Sequence, residues 1–188
     1  MALVNAKEML KKAKQEKYAI PHININNLEW AKAILLTAEA EKSPIIICTS
    51  EGAIKYMGGF EVVSGMVLGL INDLNITVPV SLHLDHGSYA GAKKAIETDG
   101  YTSLMFDGSH LAFEENYTKT SELLALVKIR ICHSKLKLEQ LVVKKMVLLV
   151  MENLLIQKKL KKWRQLGIDV LAAGIGNIHS HTQQIENH

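Results

Sequence analysis

The segment His83-Leu84-Asp85-His86-Gly87 sets an aspartate beside two histidines. Imidazole binds Zn2+ at neutral pH, and a neighbouring carboxylate can move a proton. On a strand, alternation puts His83 and Asp85 on one face. His86, placed just past the strand end, is then able to turn into the mouth of the sheet. A hydrogen-bonded histidine beside a capping aspartate accounts for the same residues, so this segment alone leaves both readings open. Asp107-Gly108-Ser109-His110 offers a second carboxylate beside a glycine that permits a tight turn, or else an ordinary Asx turn. In Gly174-Ile175-Gly176-Asn177-Ile178-His179 the glycines allow close backbone approach, and His179 is a candidate further metal ligand.

These segments need elements to hold them. Val4 to Lys17 carries apolar residues at helical spacing, and Tyr18 to Ile23 reads as a short strand. Asn27 is the expected cap of a helix from Leu28 to Glu41, stopped by Ser43-Pro44. Pro44 to Cys48 is a continuous apolar strand of the kind buried on both faces of a parallel sheet. Ser50 to Asn72 reads as helix interrupted at Gly58-Gly59, and Val78 to Leu84 as strand. Ser88 caps a helix to Thr98, Thr102 to Phe106 is strand, and Phe113 to Lys128 is helix. Lys161 to Leu166 ends a helix at Gly167, and Ile168 to Ala173 is a last buried strand. This alternation fits two parallel folds, a doubly wound sheet or a (β/α)8 barrel. Both place their sites at strand C-terminal ends, where Asn24, Ser50, Glu51, Asp85, His86, Asp107, Asn177 and His179 all fall. No glycine-rich phosphate fingerprint follows the first strand, which disfavours the dinucleotide-binding version.

The chain has 188 residues, 48% of them apolar and 22% charged, enough for a sizeable core. Two cysteines make a disulfide scaffold unexpected and favour a reducing compartment. The start lacks a continuous apolar stretch, and no run of about 18 apolar residues follows, so neither a signal peptide nor a membrane span is expected. The net charge of +3 hides a break: residues 128–165 hold eleven Lys and Arg against two Glu. No glycine lies between Gly108 and Gly167, and no proline after Pro79. Such a block suits a nucleic-acid or anionic-surface patch over residues 135–164 or one long helix. The apolar residues Leu141, Val142, Leu148, Leu149, Leu154 and Leu155 allow an amphipathic helix.

Taken together, LHLDHGS, TSLMFDGSH with FEEN, and DVLAAGIGNIH resemble the class II zinc-dependent fructose-bisphosphate aldolases and the similar tagatose-bisphosphate aldolases. YAIPHININNLEW and SPIIICTSEGAIKYMGG resemble the same family near its N-terminus. The resemblance covers residues 1 to about 127 and about 161 to 179, with Asp99 as an extra residue before the fourth strand. It implies a (β/α)8 barrel, here about the first five to six βα units, since a full barrel takes roughly 250 residues. It implies a cytoplasmic glycolytic lyase that reversibly cleaves a ketose 1,6-bisphosphate to dihydroxyacetone phosphate and glyceraldehyde 3-phosphate. Zn2+ is the implied Lewis acid, with a second monovalent or divalent cation alongside. Asp85 resembles the catalytic acid/base. His86 and His179 resemble zinc ligands, and Asp107 a carboxylate behind the metal or at a second cation. Asn24, Ser50, Gly176 and Asn177 resemble substrate-binding positions. His110 and Glu115 match motif residues and receive no role. A homodimer or homotetramer acting on a phosphorylated sugar follows from the resemblance, with no nucleic acid or membrane partner. The family's third zinc histidine belongs to an H-G-G-S-G motif that the 188 residues do not contain.

The basic block has a mechanical explanation. At this place the family reads approximately T-I-G-G-E-E-D-G-V-I-G-N-G-E-F-A-D-P-K-E-A. In an AT-rich codon choice, the same coding string read one base later gives QLVVKKMVLLVMENLLIQKKL, which is residues 140–160. The family reading resumes at Lys161-Lys162-Trp163, and a family-like P-Y-P-T-N read out of frame gives residues 181–185. Residues 129–160 and 180–188 of a single partial barrel domain spanning 1–188 are therefore expected to be out-of-frame translation. Val142 to Met146 would then stand where the family has its G-G-E-E-D loop. Loss of that loop's carboxylate predicts an inactive chain, because lysine at neutral pH is a cation and makes a poor base.

Overall fold

The computed structural model describes residues 2–133, 142–148, 161–163 and 165–174. Asn5 accepts from the Lys7 amide at 2.7 Å and starts α1, Ala6–Glu16; Lys17, at φ 60°, ends it. After β1 (His22–Asn24), the Asn27 side chain accepts from the Trp30 amide at 2.8 Å and starts α2, Leu28–Ala40. The strand β2, Ile45–Thr49, is buried at every position, as its unbroken apolar run requires. Ser50 caps α3 (Glu51–Met57), and Gly58 and Gly59, both at positive φ, separate it from α4, Phe60–Asp73. A backbone at φ above 100° is strained for any residue with a Cβ, which explains the paired glycines here. The remaining elements are β3 (Val80–Gly87), α5 (Tyr89–Glu97), β4 (Ser103–Asp107), α6 (Phe113–His133), β5 (Val142–Leu148) and β6 (Val170–Gly174).

All six strands are parallel, and their spatial order is their chain order, β1 to β6. A doubly wound sheet reverses its order at a switch point, whereas a barrel does not. The two arrangements left open by alternation are thereby separated in favour of the barrel. Among the described residues β1 and β6 form the two edges of the sheet.

The outward face of the sheet meets the helices. Ile45, Ile47, Leu82, Leu84, Leu104 and Phe106 join Leu35, Val63, Val67, Ile96 and Leu123 in one buried cluster. Each such side chain withdrawn from water contributes roughly 1.5–3 kcal/mol before chain entropy is subtracted. The opposite face of β2 meets α1 instead: Ala6 and Met9 pack on Ile46 and Cys48, with Val170 of β6 at the edge of the same cluster. Lys7 reaches Asp169, just before β6, at 2.8 Å. One helix thus touches β2 and the start of β6, which the curl of the sheet brings towards each other.

Three elements differ from the sequence expectation. The helix expected to stop at Lys128 continues to His133, because nothing between Gly108 and Gly167 breaks it. Residues 142–148, allowed above to be part of an amphipathic helix, form a strand, which suits the β-branched Val142, Val143 and Val147. The third strand does not end at Leu84. It runs to Gly87 through a register shift between Leu84 and Gly87, and His86 sits inside that irregularity rather than beyond the strand. The tight Asp99-Gly100 turn before β4 is accommodated by Gly100 at φ 100° and by the Ser64 hydroxyl, which donates to the Asp99 carbonyl.

Candidate active site

The C-terminal ends of β1 to β4 converge on one group of polar side chains. Register sets His83 beside Cys48 and Ser103, and Asn24 beside Cys48, so Asn24 and His83 share the face that looks away from the helices. Asp85 lies two residues beyond His83 on the same face. The Asn24 amide donates to Asp85 Oδ2 at 3.1 Å, joining two positions that are 61 residues apart.

His86 has φ 51°, in the left-handed region that residues with a Cβ rarely occupy. Strain of this kind costs of order 1–3 kcal/mol and persists where neighbours fix it. Here the neighbour is Asp107, whose Oδ2 lies 2.9 Å from His86 Nδ1. Burial pushes the Asp107 carboxyl up, but hydrogen bonds from the His86 ring and from Ser109 outweigh it. The net effect holds the carboxyl below the ordinary aspartate range. An ionised carboxylate on Nδ1 fixes the ring orientation and leaves Nε2 outward as the ligand nitrogen, the arrangement commonly found behind metal-bound histidine. The His86 side chain is 43% exposed, so the ring is open to solvent.

Two further interactions hold the loops that carry these residues. Ser109 donates its backbone amide to Asp107 Oδ1 at 3.0 Å, the Asx turn anticipated for this segment. Glu51 Oε1 accepts from the Ser88 amide at 2.5 Å and fills the space next to Gly91, where a Cβ would lie 2.1 Å from that oxygen. The start of α3 is thereby fastened to the turn after His86. Asn24, Ser50, Trp30 and Tyr56 line a cleft of about 440 Å3 on the β1–β2 side. Ser50 also serves as a helix cap, accepting from the Ala53 amide at 3.3 Å.

Five of the expected site residues are therefore brought to one end of the sheet: Asp85 with Asn24, His86 with Asp107, and Ser50 beside Asn24. Gly176, Asn177 and His179 lie outside the described residues. The sequence reading did not single out His22, whose ring is 5.1 Å from that of His83. Its position shows only when β1 is set against β2 and β3. Glu51 was visible as a polar residue at a strand end, but its role as a clamp depends on the fold of the turn at Ser88.

Comparison with known proteins gives a consistent result. The family profile described as Fructose-bisphosphate aldolase class-II matches residues 4–187. A fructose-bisphosphate aldolase of Mycoplasma pneumoniae is 53% identical over 177 residues, covering 94% of this chain and 61% of the relative. That of Mycoplasma genitalium is 49% identical over the same shares. The chain thus spans about three fifths of the length of the curated relatives it matches. The crystal structure of the YdjI aldolase from Escherichia coli K12 superposes with a TM-score of 0.73 at 30% identity, over 93% of this chain and 62% of that one. A fructose-bisphosphate aldolase from Campylobacter jejuni shares the fold, with a TM-score of 0.68 at 24% identity.

Proposed function

This chain belongs to the class II fructose-bisphosphate aldolase family, and from that premise we propose that its site is built for zinc-dependent aldol cleavage of fructose 1,6-bisphosphate. The observation that carries the proposal is the His86–Asp107 pair at 2.9 Å, adjoining an Asp85 oriented by Asn24. His86, with His179, would hold the zinc, and Asp107 backs the His86 ring or meets a second cation. The imidazole and its carboxylate partner suit that metal. Bound zinc supplies Lewis-acid polarisation of the substrate ketone.

The chain's own residues do the rest. Asn24 holds the Asp85 carboxylate towards the substrate. Asp85 takes the proton of the hydroxyl that becomes the aldehyde oxygen. The adjacent carbon–carbon bond breaks, and its electron pair stays on the dihydroxyacetone phosphate fragment. In the reverse direction Asp85 returns the proton. Asn24, Ser50, Gly176 and Asn177 contact the phosphorylated sugar. The setting is cytoplasmic glycolysis, in a homodimer or homotetramer. No single helix among the described residues is long and apolar enough to cross a membrane.

Protonation of the dihydroxyacetone phosphate fragment needs another acid/base. The segment that would supply it reads Val142-Val143-Lys144-Lys145-Met146, and these residues pair with Ser103 to Asp107 of β4 as a barrel strand. A lysine cation at neutral pH does not serve as the base. Turnover by this chain is accordingly expected to be no greater than background. The explanation we favour is a shifted reading frame over residues 129–160 and 180–188. Sequencing of the gene tests it, and codons incompatible with the in-frame family peptide would exclude it.

The functional test is release of dihydroxyacetone phosphate from fructose and tagatose 1,6-bisphosphate, with and without added Zn2+, on this exact chain. It is paired with zinc binding measured on the chain and on H86A. One equivalent of zinc that H86A loses, without turnover, supports the proposal. Vigorous zinc-dependent turnover overturns the inactivity, and zinc binding indifferent to His86 overturns the site.

A further inference from the structure

We propose that His22, His83 and Asp85 form a second metal centre, distinct from the one at His86, which takes a transition-metal dication such as Zn2+ or Co2+. The three side chains each offer one ligand atom, and these atoms lie within 4.8 Å of one another. They come from the start of β1 and from β3, His83 just before its register shift and Asp85 within it. A tetrahedral ion with bonds of about 2.0–2.1 Å holds its ligand atoms about 3.3 Å apart. The cluster must therefore tighten by up to about 1.5 Å. His22 is exposed and stands on β1, an edge of the sheet among the described residues, so its adjustment is the one that least disturbs the core.

The other two ligands are held in advance. His83 is 2% exposed, and its Nδ1 lies 2.6 Å from the hydroxyl of Ser103, itself buried. That bond orients the ring and leaves Nε2 as its ligand nitrogen. Asn24 orients the Asp85 carboxylate through Oδ2 at 3.1 Å. Each of these ligands therefore has the outer hydrogen-bonding partner that metal centres characteristically provide. Two imidazoles and one carboxylate favour zinc, cobalt, nickel or copper over magnesium or calcium, which prefer all-oxygen surroundings. Three protein ligands leave a fourth position for water or an anion. His86 is not in this group, and its Nδ1 faces Asp107. On the role proposed above for Asp85, an ion here occupies the carboxylate that must accept a proton, so excess metal would oppose the reaction. The metal centre itself does not depend on that role.

Co2+ titration followed by visible absorption, with circular dichroism as a check on folding, tests the inference on the full chain. H86A is expected to retain one bound ion, and H22A/H86A to lose it. S103A should weaken the same site about tenfold or more while leaving its ligands in place. H22A alone should lose one equivalent relative to the parent. An H86A chain that binds no ion, or an H22A/H86A chain that binds as tightly as H86A, overturns the proposal. Loss of binding in H86A would leave the aldolase site standing while removing this one. Binding that depends on His22 but not His86 would do the reverse.

Discussion

Replacing Gly108 by alanine probes the turn that carries Asp107. An added Cβ would lie 2.2 Å from Asn116 Oδ1, 2.5 Å from its Cγ and 2.8 Å from its Nδ2. All three contacts are far inside normal separation, and Asn116 is 3% exposed, so its amide has little room to withdraw. That amide donates from Nδ2 to the Gly108 carbonyl at 2.6 Å. Moving it by about 1 Å breaks a buried hydrogen bond, a loss of about 1–3 kcal/mol. Overpacking of a filled interior adds about 1–3 kcal/mol more. G108A should therefore destabilise the chain by roughly 2–6 kcal/mol, measured by urea denaturation. It should also loosen the His86–Asp107 pair, because Gly108 adjoins Asp107. The N116A background supplies the internal control. With the amide gone, the new methyl occupies vacated space, so the double mutant should lose at least about 1 kcal/mol less than the two single losses added together. A G108A chain within about 0.5 kcal/mol of the parent, or strict additivity with N116A, would refute the steric reasoning.

Three further outcomes follow from particular contacts. D107N removes the anion behind His86 and should weaken zinc binding at that histidine about 10–100-fold; an affinity unchanged in a competition titration would count against the pair as a metal support. Burial raises the Tyr101 hydroxyl to about 12, against a lesser opposing effect of its contact with Thr49 Oγ1 at 3.0 Å. The neutral form is thus favoured in the folded chain. Its stabilisation is fully present below pH 10 and is lost as pH rises towards 12, by up to about 2.7 kcal/mol. Denaturation curves across that range should show the decline, and Y101F should flatten it. The Glu39 carboxylate, held at about 2 by Lys42 and by the Thr77 and Val78 groups, contributes stability above about pH 4.5 that fades as pH falls towards 2. An E39Q chain should show a shallower acid transition, read by circular dichroism.

Local chemistry made much of this protein legible in its sequence. The caps at Asn27 and Ser88 act on amides three residues away, so residue type and spacing suffice to place them. The unbroken apolar run before Thr49 announces a strand buried on both faces. The polar residues that follow each strand mark one end of the sheet. Even the basic, glycine-free block is a property of sequence alone, although the strand formed by residues 142–148 was not foreseen, because β-branched valines among lysines suit either element until a neighbouring strand pairs with them. Tertiary structure decided the rest. Chain-order strand pairing separates the barrel from the doubly wound sheet, and no local period encodes which strands become neighbours. Within the register shift after Leu84, His86 faces Asp107, while Asp85 stays near His83 and His22. Adjacent residues of one motif thereby face different partners, Asp85 meeting Asn24 and His86 meeting Asp107. Strand periodicity fixes which residues share a face, but partners 21 and 61 positions apart meet only when separate strands are laid side by side in register.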